Sequence, residues 1–326
     1  MKYTIFGESH GPAIGVVLTG VPSGVEVDMD FIRSEMARRR PGRNALSTAR
    51  NEADIPEILS GVFEGKTIGT PLCAIIRNTD VRSRDYSRLK VCPRHSHGDF
   101  AGSIRYEGCN DYRGGGHFSG RLTAPLVFAG ALAKLILKAS CNAQITSRIS
   151  MLEGVENPTP EQVEQIILAA KADEDSVGGA IACTVTGLPA GFGAPDFGCN
   201  VEGIFSQHLF AVPAVKAVAF GAGFGFASMR GSAANDPFYL EDECVKTRTN
   251  HAGGINGGIT NGMPVTFEVA IRPTPSIAKE QDTVNLATGE TAKLVIEGRH
   301  DPCIVHRALP VIEAAAALAA CEVLGI

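Results

Sequence analysis

Short apolar runs broken by turn residues dominate the first eighty positions of the chain. The run AIGVVLTG, which starts at Ala13 and ends at VPSG, predicts a strand, and further strands are predicted over residues 55–62 and 71–77. Residues 29–40 predict a helix, with Asp28 or Asp30 as its N-cap and Pro41-Gly42 as its stop. This part of the chain therefore combines several strands with one helix.

Two longer helices are predicted farther along, on either side of residue 150. Residues 121–139 are mostly apolar and predict a long helix. The segment NPTPEQVEQIILAAK predicts an amphipathic helix that faces solvent, because Thr159 can cap it, Pro160 suits its first turn and Gln162 completes a capping box. Residues 78–120 are polar instead, and loops of that length are usually functional.

A weak internal repeat relates the two parts of the chain. AIGVVLTGVPSG at Ala13 matches AIACTVTGLPAG at Ala180 in six of twelve positions, and IIRNT at Ile75 resembles AIRPT at Ala270. Each pair keeps the order strand, turn, strand. We therefore predict an α+β fold in which one domain, residues 1–326, contains two related halves, roughly 1–140 and 141–326. Each half is expected to have its own antiparallel sheet and crossing helices.

Composition narrows the class of protein. The chain has 326 residues and a formal net charge of −5, so no general basic field favours nucleic acid as a partner. Its nine cysteines are widely spaced and include no CxxC, which indicates reduced thiols in a cytoplasmic protein. No apolar segment is expected to cross a membrane. These properties favour a globular protein whose partner is a small molecule.

Two glycine-rich segments lie among polar and charged residues. DYRGGGHFSGR, residues 111–121, has three consecutive glycines between Arg113 and Arg121, and NHAGGINGGITNG, residues 250–262, is of the same style. Such backbone turns sharply or lets a large ligand lie against it, and its N–H groups and arginines suit an anion. The two segments can enclose one flat or phosphorylated ligand, although glycine-rich turns without a ligand are also common.

Two further clusters are cationic or contain histidine. In GESHG, His10 stands between small turn-forming residues directly before a predicted strand, where a surface histidine is the ordinary interpretation. RRRPGRNALSTAR, residues 38–50, carries five arginines in a chain that is net acidic. That density indicates a local anion site, although cations at the end of a helix, or a solvated run of charge, remain an alternative.

The segment PRHSHGD suggests a different chemistry. His95, His97 and Asp99 have the H-x-H-x-D spacing seen in binuclear metallohydrolases, so a metal-dependent phosphohydrolase is an alternative function. The usual motif continues with another histidine where this chain has Phe100. Because the series is incomplete, we expect no metal.

The segment EGRHDPCIVHRALP places one carboxylate among cations. Asp301 is flanked by Arg299, His300 and Arg307, so it should stay ionised and can act as a base, or it forms a structural salt bridge. Other nucleotide and hydrolase signatures are missing from the sequence. There is no GxxxxGK[ST], no GxSxG, and GAGFGF lacks the third glycine of a dinucleotide-binding fingerprint.

Taken together, the motifs resemble the chorismate synthase family. The matching segments are GESHG, RRRPG, NTDVRSRDYS, R-x-x-H-x-D at residues 94–99, DYRGGGHFSGR, NHAGGI-x-GGI and GRHDPC-x-x-x-R. They occur in order over nearly the whole chain. The resemblance implies a β-α-β sandwich, with a helical layer between two antiparallel sheets, and a homotetramer. It also implies the conversion of 5-enolpyruvylshikimate 3-phosphate to chorismate and phosphate, a 1,4-elimination in aromatic amino acid biosynthesis that needs reduced FMN.

The resemblance also implies roles for individual residues. His10 is similar to the histidine that protonates the departing phosphate, His97 to the one that interacts with the flavin ring, and Asp301 to the carboxylate that helps to take the ring proton. The residues implied to bind substrate are Arg39, Arg43, Arg94 and Arg121. The residues implied to bind flavin are His117, Phe118, Ser119, Pro213, Ala214, Gly257, Arg272, Pro273, Thr274, Pro275, Ser276 and Arg299.

The chain departs from the family pattern at several of these motifs. Ala45 stands where the family usually has an arginine, and His95, Gly98 and His306 replace the usual Pro, Ala and Pro. The first change affects a contact to substrate or NADPH, so NADPH as a direct reductant and a separate flavin reductase are both open. A flavin-binding or scaffold protein of the same fold without activity is a third candidate function.

Overall fold

The computed structural model describes residues 1–42, 52–79, 88–296 and 301–326. Its helices are α1 (Met29–Arg39), α2 (Asp99–Arg105), α3 (Thr123–Cys141), α4 (Pro160–Ala172), α5 (Val201–Phe210), α6 (Gly231–Ala234) and α7 (Val305–Val323). Its strands are β1 (Lys2–Gly7), β2 (Ala13–Thr19), β3 (Pro56–Ser60), β4 (Val62–Phe63), β5 (Lys66–Thr67), β6 (Leu72–Arg77), β7 (Gln144–Leu152), β8 (Val155–Glu156), β9 (Gly179–Thr186), β10 (Val215–Phe220), β11 (Phe238–Glu241), β12 (Cys244–Thr247), β13 (Ile255–Asn256), β14 (Ile259–Thr260), β15 (Val265–Ile271), β16 (Gln281–Asn285) and β17 (Glu290–Leu294).

Two antiparallel sheets enclose a layer of helices. The first sheet has the order β1-β2-β6-β3, and the second has the order β10-β15-β9-β7-β8. Helix α3 packs on β1, β2 and β6 of the first sheet and on β7 of the second, while α7 packs on β7 and β9. The α+β class and the sandwich predicted from the sequence are therefore confirmed.

The repeated segments form equivalent strand pairs in the two sheets. β2 pairs with β6, and β9 pairs with β15, both antiparallel. The registers differ: Ala13 lies opposite Arg77, whereas its counterpart Ala180 lies opposite Ala270, two residues before the counterpart of Arg77. The two sheets share one apolar core, to which α3 and α7 also contribute. The division of this domain into two related halves stays a prediction.

The two central helices are apolar on nearly every side because sheets and helices surround them. They cross so closely that a β-carbon on Gly130 of α3 would lie 2.2 Å from the β-carbon of Ala314 of α7. By length and composition, Gly120–Cys141 could cross a membrane, but 78% of its most apolar stretch is buried inside the protein. It packs as a core helix.

One charged cluster interrupts this apolar layer. Glu313 of α7 is almost fully buried and accepts two hydrogen bonds from Arg38, one from Lys134 and one from Ser147, at 2.6–2.7 Å. Burial alone would raise the pKa of Glu313, but the hydrogen bonds from Arg38 and the charge of Lys134 lower it. The carboxylate is ionised and ties α7 to α1, α3 and β7.

Local signals predicted the capped helices well. The Asp28 carboxylate accepts from the N–H groups of Asp30 and Phe31, so Asp28 is the N-cap of α1. Helix α4 has both hydrogen bonds of its capping box, and only Ile167 and Ala170 of that helix are buried. The polar segment before residue 121 contains α2, which was not predicted.

Candidate active site

A cavity of about 730 Å³ lies where α1 and α5 end and α3 and α7 begin. Its lining includes most of the residues predicted for the site: His10, His97, Asp301, Arg39, Arg94, Arg121, His117, Phe118, Ser119, Pro213, Ala214, Arg272, Pro273, Thr274, Pro275 and Ser276. Gly257 does not line it, because that residue lies in the turn between β13 and β14. Arg43 and Arg299 lie outside the described residues.

Two of the three consecutive glycines lie against histidines of the cavity, His10 and His97. Gly114, Gly115 and Gly116 all have positive φ, at 58°, 83° and 53°. A β-carbon on Gly114 would lie 2.5 Å from two atoms of the His10 ring, and one on Gly115 would lie 3.2 Å from Cε1 of His97. Only glycine combines this backbone with so close an approach. The bare turn therefore brings both rings to one wall of the cavity.

Arg113 does not contribute to that wall, although it precedes the glycines. Its Nε and Nη2 atoms each donate a 2.8 Å hydrogen bond to the carboxylate of Asp111. The hydrogen bonds from Arg113 lower the pKa of Asp111, so this pair is an ordinary ion pair. Of the two arginines that flank the glycines, Arg121 alone lines the cavity.

His97 is oriented by a buried carboxylate. Its Nδ1 lies 2.7 Å from Oδ1 of Asp99. The Asp99 carboxylate also accepts two hydrogen bonds from Arg94, from Nε to Oδ2 at 2.7 Å and from Nη2 to Oδ1 at 2.8 Å. Burial alone would raise the pKa of Asp99, but the hydrogen bonds from Arg94 and His97 hold it well below its usual range. An ionised Asp99 makes Nδ1 the donor and directs Nε2 of His97 toward Gly115.

Arg39 and Arg121 share a second buried carboxylate, Asp54. Nη2 of Arg39 lies 2.5 Å from Oδ2 of Asp54, and Nη1 of Arg121 donates to Oδ1 of the same group. Thr123 Oγ1 accepts from Arg39 at 3.2 Å, and Glu52 lies 3.7 Å from Arg121. The charges of Arg39 and Arg121 outweigh the effect of burial and lower the pKa of Asp54. This group is therefore ionised as well.

Asn78 links Arg121 to the loop that carries His10. Its Oδ1 accepts from Nε of Arg121 at 3.1 Å, while its Nδ2 donates to the carbonyls of Glu8 and Gly11 at 3.0 and 2.8 Å. These two carbonyls lie on either side of His10. One amide therefore fixes a histidine and an arginine of the cavity relative to each other.

Asp301 lines the same cavity just before α7 begins. Its Oδ2 accepts from Nη1 of Arg307 at 2.6 Å, and Nε of Arg307 donates to the carbonyl of Arg39 at 3.1 Å. Asp301 thus has a cation beside it, as predicted from the sequence. Arg307 was recognised only as its neighbour in the sequence, yet it lines the cavity and joins α7 to the end of α1.

The cavity lining also includes apolar residues and further cations. The apolar residues come from β1, α3, α7 and the segment that follows α5. Lys216 and the segment Arg272–Ser276 line the cavity too, and Nη1 of Arg272 donates to the carbonyl of Ser96 at 2.6 Å. The Phe118 ring lies so close to Gly98 and Gly102 that a β-carbon on either would clash with it. A cavity that combines apolar side chains with several cations suits a flat ligand that carries anionic groups.

The alternative metal site does not form within the described ranges. There, no three side chains of the metal-binding types His, Cys, Asp and Glu are close enough together to hold an ion. His97 and Asp99 are in contact, but His95 does not line the large cavity and lies beside the β16–β17 hairpin instead. The spacing H-x-H-x-D thus places two of its residues together and the third elsewhere.

Comparison with known proteins gives one consistent result. Residues 1–324 match the family model described as chorismate synthase. A chorismate synthase of Thermococcus kodakarensis is 44% identical over 97% of this chain and 94% of its own length, and one of Dehalococcoides mccartyi is 42% identical over 96% and 92%. A crystal structure of chorismate synthase superposes with a TM-score of 0.76 at 25% identity, covering 99% of this chain and 91% of that one.

Proposed function

Because the chain belongs to the chorismate synthase family, we propose that it is a carbon–oxygen lyase that converts 5-enolpyruvylshikimate 3-phosphate to chorismate and phosphate. The reaction is a 1,4-elimination with no net redox change. It serves the shikimate pathway and hence aromatic amino acid biosynthesis. The observation that carries the proposal is the convergence of His10, His97 and Asp301 with three buried arginines on one cavity.

The charge of the cavity suits this substrate. Its two carboxylates and one phosphate need several fixed cations, and planar guanidinium groups bind both kinds of anion bidentately. Arg39, Arg94 and Arg121 are each held by a carboxylate and line the cavity together with Arg307. Substrate would therefore meet guanidinium groups that are already oriented.

Other residues that line the cavity suit reduced FMN. Phe118, Pro213 and Ala214 offer apolar contact to a flat ring, while Lys216 and Arg272 offer charge to its phosphate. When bound, reduced FMN supplies an electron-rich ring that eases cleavage of the carbon–oxygen bond. The protein's own part is to hold the ring, exclude water and neutralise the leaving group.

Three side chains would move or hold protons in this reaction. His10 would donate a proton to the departing phosphate, and the carbonyls that Asn78 holds on either side fix its loop. Asp301 would take the proton lost from the substrate ring, and the hydrogen bond from Nη1 of Arg307 orients its carboxylate. His97 would keep Nε2 toward the flavin because Asp99 accepts from Nδ1.

Assembly, location and reductant complete the proposal. We infer a homotetramer from the family resemblance, and the exposed apolar side chains of Phe238, Leu240 and Val245 on the β11–β12 hairpin suit a subunit interface. A cytoplasmic location is proposed from the reduced cysteines that the sequence indicates. NADPH or a separate flavin reductase would supply the reduced cofactor.

The test is an anaerobic assay with purified protein, 5-enolpyruvylshikimate 3-phosphate and chemically reduced FMN. Chorismate absorbance and released phosphate are followed together, and oxidised FMN serves as the control. The proposal is supported if both products appear in equal amounts with reduced FMN and do not appear with oxidised FMN. Phosphate without chorismate would indicate a phosphohydrolase. Bound flavin with neither product would indicate a fold that has lost its activity.

A further inference from the structure

We propose that Asp54 is a positioning residue that holds Arg39 and Arg121 together as one anion clamp for the substrate. The inference rests on the proposed function and extends it to a residue outside the motifs that carry the family resemblance. Asp54 lies between the two guanidinium groups and gives one carboxylate oxygen to each. All three side chains are at most 5% exposed.

The clamp needs a carboxylate because its two cations are buried side by side. Two guanidinium groups that reach the two oxygens of one carboxylate are close neighbours, and like charges repel strongly where water is excluded. Without Asp54, the repulsion would separate the groups or turn them toward solvent. With Asp54, both are held against the cavity that they line. The negative charge of Asp54 also weakens the attraction of the cavity for anions. Asp54 therefore favours substrate binding by orienting the two guanidinium groups and not by adding charge.

The backbone places Asp54 at this point through long-range strand pairing. Asp54 lies just before β3, and Pro56 of that strand is opposite Ile76 of β6. The end of β6 leads to Asn78, which binds Nε of Arg121. Asp54 itself has a φ of 52°, a conformation that few side chains other than glycine, asparagine and aspartate adopt.

Two variants test the clamp. Asp54→Asn removes the charge and one acceptor, whereas Asp54→Glu keeps the charge and displaces it by one methylene. Glu57→Gln is the matched control, because Glu57 lies three residues farther on, in β3, and pairs with the exposed Arg77, away from the cavity. Calorimetry gives the dissociation constant of 5-enolpyruvylshikimate 3-phosphate without flavin, and FMN is titrated separately. Kinetics then give KM and kcat.

We expect both Asp54 variants to bind substrate about 10- to 100-fold more weakly, as befits the loss of oriented, charge-assisted hydrogen bonds. KM should rise with the dissociation constant, while kcat changes by less than about threefold. FMN affinity should match that of wild type and of Glu57→Gln. This split separates positioning from a general structural role, which would weaken flavin and substrate binding together.

Two results would overturn the clamp. One is a folded Asp54 variant that binds substrate as wild type does. The other is loss of the circular dichroism signal and of FMN binding in both variants, which would assign Asp54 to the scaffold alone. Chorismate formation by the wild-type protein is measured first. If no chorismate forms, the proposed function is wrong. The clamp is judged separately, by the ratio of the dissociation constants of variant and wild type.

Discussion

Replacing Gly114 with alanine would place a methyl group against the ring of His10. The new β-carbon would lie 2.5 Å from both Cδ2 and Nε2 of that ring. Because carbon atoms pack at about 3.5–4.0 Å, the ring must move by about 1 Å. His10 is buried and its loop is tied to Asn78, so the ring has little room to turn elsewhere. A misplacement of about 1 Å can lower turnover about 100-fold.

The backbone itself adds a second effect that has its own control. Gly114 has a φ of 58°, and a residue with a β-carbon in that region loses about 1–2 kcal/mol of stability. Gly108 has a φ of 75°, but a β-carbon there would meet nothing within 4 Å. Gly108→Ala should therefore show a similar drop in melting temperature without a change in turnover.

The assay is anaerobic chorismate formation with reduced FMN, with melting temperature measured on the same samples by circular dichroism. We expect kcat of Gly114→Ala to fall about 100-fold while Gly108→Ala retains wild-type kcat. Wild-type kcat in a folded Gly114→Ala protein would refute the reasoning, since it would mean that the position of the His10 ring does not govern turnover. An equal loss in Gly108→Ala would show that backbone strain alone explains the effect.

Two further predictions concern stability. Gly130→Val should destabilise the protein by about 1–3 kcal/mol or more through overpacking, because a β-carbon there would lie 2.2 Å from that of Ala314, and an unchanged melting temperature would contradict this contact. Burial and then Arg307 lower the pKa of His306, so the unfolded chain takes up a proton below about pH 6.5 while the folded chain resists it. Stability from this group is thus present above pH 6.5 and lost as the pH falls toward the lower, folded pKa. Urea midpoints at pH 7.5 and 5.5 should differ less in His306→Leu than in wild type, and an equal difference would exclude this role.

Helices α1 and α4 could be predicted because their signals are local. Asp28, Thr159 and Gln162 bond to backbone groups within three residues of themselves, so the sequence alone contains both partners. Helix α7 lacked such a signal. It has no side-chain cap, and Pro310 lies inside it without the N–H that would bond to the carbonyl four residues earlier. Burial in the helical layer, which no local pattern reports, stabilises it instead.

The residues of the site also fall into a group that the sequence predicted and a group that it did not. His10, His97 and Asp301 were singled out by their motifs and by family resemblance, and the structure brings them to one cavity. Asp54 and Asn78 carried no assigned role, because their contacts with Arg121, 67 and 43 residues away, depend on the pairing of β3 with β6. A one-residue change in that pairing would turn these side chains to the other face. Supporting residues of this kind follow from topology rather than from motif.

The close crossing of α3 and α7 also affects how the chain folds during synthesis. Helix α7 begins roughly 160 residues after α3 ends, so at about 5–20 residues per second the ribosome takes on the order of 8–30 s to supply it. Until then, α3 lacks its main packing partner and exposes a surface that is apolar enough to resemble a membrane span. Nascent chains of this protein should therefore be prone to aggregate while α7 is still being synthesised. Chaperones that cover apolar helices would raise the yield of folded enzyme.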